Sequence, residues 1–300
     1  MSMKLYLSEE EDIYTNIALE RRLFRSRESC LFLWRNAPCV VIGRNQNPYQ
    51  EADTAYMEEN GISLARRYTG GGAVYQDRGN LNYSWIGDRA DVSLVISIIA
   101  DALRRFSIDI RQSGRNDLLY RDRKISGMAF LEEDSWYLYH GTLMLDVDID
   151  RMTRVLTPSA MKLESKGIAS VRARVCNLSD SRPELTVESM TAAVSAAAGI
   201  PVERLHAEQT DQELQRNIAE LGSSEWIYGQ SMDYQVTLRE KIHGENYTIF
   251  LNVCNDRITG AQIASDALTV FDNGRISGRL LGNRFRKDTI LQTVRESIGG

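Results

Sequence analysis

Apolar positions along this chain keep two rhythms. Ile13, Ile17, Leu23 and Phe24 recur at roughly helical spacing behind Ser8-Glu9-Glu10-Glu11, which has the form of a capping box, and together they predict a first helix over 9–26. Continuous apolar runs follow at 31–34 and 39–43, separated by Arg35-Asn36-Ala37-Pro38, and they read as a hairpin of two buried strands. Helical spacing returns over 52–60, 92–106, 148–155, 187–198, 211–221 and 287–297. Strand-like runs lie between these at 62–66, 81–86, 108–111, 117–120, 124–131 and 136–145. Strands outnumber helices and many connections are short. The fold class expected is therefore α+β: a mixed, mostly antiparallel sheet flanked by helices, and not a doubly wound parallel one.

The pattern changes near 226–235. A helical segment ends at Gly222-Ser223-Ser224, and short strands start again at 240–243, 247–255 and 257–265 before a terminal helix. This predicts a large domain over 1–232 and a small α+β accessory domain over 238–300, too small for a generous core and leaning on its neighbour. Composition changes the picture little: 300 residues, 43% of them hydrophobic, are ordinary for a globular chain. Charge says more, since 36 basic against 41 acidic residues leave a net −5 and no overall attraction for nucleic acid, so any anion site must be local. The four cysteines (Cys30, Cys39, Cys176, Cys254) form no C-x-x-C pair and only three histidines are present, which supports neither a disulfide framework nor a zinc site and suits a reducing cytosol. The opening MSMKLYLSEEEDIY has no apolar core of a signal peptide, and no run approaches the roughly eighteen apolar residues of a membrane span. A soluble cytoplasmic protein without nucleic-acid or membrane partners is expected.

Candidate chemistry centres on RRYTGGGAVY, residues 66–75. Three glycines beside two arginines would let backbone N–H groups approach an anion while guanidiniums neutralise it; a tight turn would look the same. It is not a Walker A loop, because Gly72 runs into Ala73-Val74-Tyr75 and not into Gly-Lys-Ser/Thr, and no G-x-G-x-x-G opens a helix. Further segments stand in order around it: LFLWRNAPCVVIGRNQNP, DRGNLNYSW, GRNDLLYRDRKISGMAF, YHGTLML, KLESKGIASVRARVCNL and SSEWIYGQ. Together with RRYTGGGAVY these resemble the lipoate-protein ligase A family, within the wider group of biotin and lipoate ligases. RITGAQIASDAL resembles, more weakly, that family's small C-terminal domain.

The resemblance implies a chemistry that the residues can be checked against. Such ligases use ATP, with Mg²⁺, to convert lipoate to lipoyl-AMP, and then pass the acyl group to a lysine on lipoyl domains of 2-oxoacid dehydrogenase E2 subunits or on the glycine cleavage H protein. Arg67, Gly72, Ala73, Val74 and Tyr75 match the nucleotide-binding segment. Lys124 of RKISG matches the essential lysine, an electrostatic catalyst that would polarise the acyl carbonyl and balance the α-phosphate. Asn116 and Asp117 match positions near the nucleotide, with Asp117 a candidate Mg²⁺ ligand. His140, with Gly71, Gly72 and Lys124, would border the lipoate pocket, although Tyr139 stands where the family often has a preceding histidine.

Singly, each of these has a plain alternative: a solvated strand end, a surface lysine, an Asx turn, a half-buried histidine. The basic run Lys162, Lys166, Arg172, Arg174 is either a solvated face or a surface for loop closure or for an acidic carrier. Two rivals remain: an ATP-independent acyltransferase working through a cysteine thioester, for which Cys176 is the cysteine inside a motif, and a non-catalytic protein that binds lipoate or its carrier.

Overall fold

In a computed structural model of the chain, the described residues are 3–44, 46, 48–113, 117–156, 174–229, 234–243, 245–265 and 272–298. In order they form β1 (Lys4–Ser8), α1 (Ile13–Ser26), β2 (Cys30–Trp34), β3 (Cys39–Ile42), α2 (Pro48–Glu51), α3 (Thr54–Glu59), β4 (Ser63–Arg66), β5 (Val74–Gln76) and β6 (Asn80–Gly87). Next come α4 (Val92–Arg104), β7 (Arg111–Ser113), β8 (Asp117–Tyr120), β9 (Arg123–Glu133), β10 (Trp136–Met144), α5 (Ile149–Val155), α6 (Val187–Ala198), β11 (Val202–Leu205) and α7 (Gln212–Leu221). A π-helical turn at Glu225–Gly229 leads to β12 (Tyr234–Ile242), β13 (Glu245–Cys254), β14 (Arg257–Ser265), α8 (Asn273–Leu280) and α9 (Lys287–Ile298).

One eight-stranded sheet, ordered β11-β1-β2-β6-β10-β9-β8-β7, carries the large part of the molecule. Only β11–β1 and β1–β2 pair in parallel; the rest of the ladder is antiparallel. Its two faces bury separate cores. On one side α1 packs with β3, β4 and the π turn, burying Ile17, Phe24, Trp34, Val41 and Trp226; on the other α4 and α6 cover Leu33, Trp85, Tyr139 and Leu143. Strands covered on both faces read as unbroken apolar runs, and β2 and β6 are buried at every position for this reason. A three-stranded sheet β4-β3-β5 stands beside the first. The C-terminal residues form a second three-stranded sheet, β12-β13-β14, with α8 and α9 over a core that includes Ile249, Leu251, Ile276 and Val294. Tyr49 joins the two parts: its hydroxyl donates to Asp256 at 3.1 Å, and its ring lies 4.3 Å from that of Phe285. No helix among the described residues is long and apolar enough to cross a membrane.

Several expectations need correction. The apolar runs 31–34 and 39–43 do not form a hairpin: β2 lies between β1 and β6 in the large sheet, and β3 between β4 and β5 in the small one. The linking Asn36 is fully buried, donating to Gln76 and accepting from Asn16, so a buried side chain pins the connection. The first helix begins at Ile13, capped by Asp12, whose carboxylate accepts from Thr15 N at 2.8 Å; Ser8 ends β1 instead. The run 108–111 becomes a strand only at Arg111, because Ile108 is buried behind the left-handed turn at Ser107. The strand expected at 240 starts at Tyr234, so β12 runs across residue 238.

Candidate active site

A cavity of about 250 Å³ opens where α1, the glycine loop, β9 and β10 converge. Ile17, Trp34, Val41, Val74, Met128 and Ala129 make its apolar walls, and Glu20, Gln76, Asn82, His140 and Thr142 its polar ones. Asp117 and Lys124 border it while remaining partly exposed, which puts them at its mouth. The alternation of β10 sorts the side chains: His140 and Thr142 face the cavity, while Tyr139 belongs to the core under α4 and α6. This volume is below the roughly 300–1,000 Å³ of most small-molecule sites and suits a slim ligand.

Of the two arginines that sequence reading aimed at an anion, Arg67 holds the glycine loop and Arg66 ties residues 43–46 to the π turn. Arg66 has no exposed surface and donates to the carbonyls of Gly43, Arg44, Gln46, Trp226 and Ile227. Arg67, 7% exposed, donates to the carbonyls of Val41, Gly70 and Gly72 and to the Thr69 hydroxyl. Burial pulls the Arg67 pKa down to about 10, so it stays charged at neutral pH. It lines the cavity, but the donors named here are spent on the loop itself. Gly71 has φ +92°, a conformation other residues resist, and a Cβ there would sit 3.0 Å from Arg67 Nη2. Gly72, Ala73 and Val74 reach the cavity, whereas Tyr75 does not: its buried ring faces the core on the α5 side.

Behind the loop runs a chain of buried polar groups that sequence reading missed. Arg67 Nε donates to Thr69 Oγ1, which lies 2.9 Å from His140 Nε2; His140 Nδ1 lies 2.9 Å from Glu20 Oε1. Glu20 Oε1 also accepts from Ser84 Oγ at 2.5 Å, and Ser84 accepts from Trp34 Nε1 at 2.9 Å. One polarity satisfies every member: the Thr69 hydroxyl accepts from Arg67 and donates to Nε2, and imidazole Nδ1–H donates to Glu20. The signal for Glu20 was available in α1, where Ile13, Ile17, Glu20 and Phe24 share one stripe and all are buried, so a carboxylate interrupts an apolar face.

Lys124 Nζ lies 2.7 Å from Asp117 Oδ1. Both backbone groups of Lys124 are clamped, its N–H donating to Arg174 O at 2.7 Å and its carbonyl accepting from Cys176 N at 3.3 Å. Asn116, Lys162, Lys166 and Arg172 lie outside the described residues. Glu20 and Asp117 are the carboxylates among the lining residues, and both have partners. Among the described residues no group of three or more His, Cys, Asp or Glu could hold a metal. None of the lining residues is a cysteine; Cys176 is fully buried in the core under α4 and α6, and burial pushes its thiol pKa up.

Comparison with known proteins gives this arrangement a context. LipL1 of P. falciparum, solved in complex with lipoate, is 26% identical at TM-score 0.68 over 98% of this chain and 94% of its own. A bipartite lipoate protein ligase, described with its E2 lipoyl domain as an archaeal lipoylation system from Thermoplasma acidophilum, is 28% identical at TM-score 0.65, covering 78% of this chain and 100% of its own. A lipoate-protein ligase A bound with ATP is 26% identical at TM-score 0.64, over 77% of this chain and 100% of its own. Residues 12–199 match the lipoyl protein ligase A/B catalytic domain, and the chain belongs to that family.

Proposed function

We propose that the protein attaches lipoate to carrier proteins in two steps at this cavity. In the first, the lipoate carboxylate attacks the α-phosphorus of ATP, forming lipoyl-AMP and releasing pyrophosphate. In the second, a lysine amine on a lipoyl domain attacks the acyl carbonyl and AMP leaves. Two anions meet in step one, so the site needs positive charge where they join. The observation that carries the reading is the Lys124 ammonium standing at the mouth of a narrow, largely apolar cavity beside the glycine loop.

The apolar walls suit an alkyl chain, and His140 with Glu20 supplies a polar contact partway along them. Lys124 would balance the phosphate and then the oxyanion of the transfer step. Gly71, Gly72, Ala73 and Val74 would offer main chain to the nucleotide, with Arg67 acting through the loop. The likeness to structures solved with lipoate and with ATP, and to a ligase described together with its E2 lipoyl domain, supports each substrate in turn. In this reading the catalytic unit ends before residue 233, and an accessory unit begins with β12, secured by Tyr49. Carriers would be lipoyl domains of 2-oxoacid dehydrogenase E2 subunits and the glycine cleavage H protein, in the cytoplasm.

The family also contains the transferase reading, which needs a thiolate within reach of the acyl carbonyl. Cys176 is fully buried and does not line the cavity, which favours the ligase. Lipoate-dependent ATP–pyrophosphate exchange tests it. Exchange that falls at least about a hundredfold in Lys124→Met is the expected result, from losing one preorganised donor at a developing charge. Thioester formation on Cys176 with no exchange would overturn the ligase reading.

A further inference from the structure

We propose that Asp117 is the counter-ion that positions Lys124, and not a ligand of the metal that accompanies ATP. The inference deepens the ligase reading and rests on it. Asp117 and Lys124 lie on neighbouring antiparallel strands, but not opposite one another: Asp117 pairs with Gly127, and Lys124 with Leu119 beyond an irregularity between Leu118 and Leu119. To bring Nζ to 2.7 Å from Oδ1, the lysine stem must run back along its own strand toward residue 127. Gly127 makes that path available, since a Cβ there would meet Nζ at 3.2 Å and Cε at 3.3 Å. The β-bulge aims the stem, the bare Cα gives it room, and the carboxylate fixes its end.

Energetics argue against a stabilising role. The two side chains are 39% and 40% exposed, and ion pairs so open to solvent contribute only about 0–1 kcal/mol. What the pair does fix is direction. An ammonium has three N–H donors, and one held by Asp117 sets the cone in which the others point. A divalent ion on the same carboxylate would stand close to the ammonium and repel it, weakening the anchor of the catalytic cation.

The test compares Asp117→Asn, Gly127→Ala, Lys124→Met and the double variant Asp117→Asn/Lys124→Met, with melting curves to confirm folding. Lipoyl-AMP formation in single turnover should fall about ten- to a hundredfold in Asp117→Asn, with half-saturating Mg²⁺ and the ATP KM unchanged within about twofold. Gly127→Ala should fall in the same direction with Asp117 intact. The double variant should be no slower than Lys124→Met alone. Further loss in the double variant, or a rise in half-saturating Mg²⁺ in Asp117→Asn, would overturn the proposal. A second readout does not need turnover: the ¹³Cε–¹⁵Nζ resonance of Lys124, assigned through Lys124→Arg, should move in Asp117→Asn and stay in place when Mg²⁺ alone is added. A Mg²⁺-driven shift, or no change in Asp117→Asn, would overturn it even if the protein forms no lipoyl-AMP, an outcome that would count against the ligase reading instead.

Discussion

His140 Nδ1 lies 2.9 Å from Glu20 Oε1, which joins the middle of β10 to the middle of α1 across the cavity floor. The same carboxylate oxygen accepts from Ser84, and Ser84 from Trp34. Glu20, 2% exposed, is thus committed to two donors at the wall of the cavity.

Glu20→Gln should weaken both contacts without breaking either. His140 Nδ1 and Ser84 Oγ both reach Oε1, and an amide oxygen in that place accepts from both but without the charge that strengthens them, a loss of about 0.5–1 kcal/mol per bond. We expect stability to fall by about 1–2 kcal/mol in urea unfolding and lipoate affinity to fall about tenfold, with ATP affinity unchanged. Loss of ATP binding alone would contradict this placement.

Arg67 invites the opposite comparison. Were it a phosphate ligand, Arg67→Met would weaken ATP binding and leave the melting temperature alone. Its donors instead serve the Val41, Gly70 and Gly72 carbonyls, the first bond buried and the other two partly so, and abandoning them should destabilise the protein by about 1–3 kcal/mol. Arg67→Lys should recover less than about half, because a point ammonium cannot span the planar fork. Paired urea titrations and ATP calorimetry decide between the two roles.

Gly43, packed against the glycine loop, has no room for a side chain. A Cβ on it would stand 2.2 Å from the Gly71 carbonyl oxygen, a backbone atom that no rotamer can clear, whereas at Gly70 and Gly72 nothing lies within 4 Å. Gly43→Ala should distort the loop, lowering both the melting temperature and nucleotide affinity. Gly70→Ala and Gly72→Ala should stay within about 0.5 kcal/mol of the parent. Equal behaviour of the three variants in a melting curve would refute this account of the loop.

Thiol chemistry separates ligase from transferase. Cys254 is exposed; Cys30, Cys39 and Cys176 are buried, and desolvation raises the pKa of each of these three, that of Cys30 to about 12. A thiol reagent at mildly alkaline pH should titrate one of the four cysteines in the native protein and all four after unfolding, with activity retained in the singly modified form. Rapid inactivation with label on Cys176 would favour a thioester mechanism.

Much of the architecture was legible from local pattern. Helices such as α4 and α6 announce themselves through periodicity, and antiparallel neighbours β9 and β10 through adjacency along the chain. Missed elements share a cause. β1 and β11 are short and pair in parallel with distant partners, and β5 has three residues, so their existence depends on neighbours that no local window contains. The false hairpin has the same origin, for β2 and β3 are adjacent in sequence yet find their partners in different sheets.

At the site the division is similar. The sequence alone determined which residues carry charge and where the chain can bend: a lysine in RKISG, a histidine in YHGT, and three glycines after two arginines. Only the tertiary structure decided what those groups do. It buried Arg67 beneath the loop and Arg66 against the π turn, where their planar forks serve main-chain carbonyls, and it drew Lys124 across Gly127 to Asp117. It also placed Glu20 against His140. The physical reason is that a hydrogen bond or ion pair forms between atoms about 3 Å apart, and which atoms come that close is set by the packing of whole elements, which residue type and spacing along the chain do not encode.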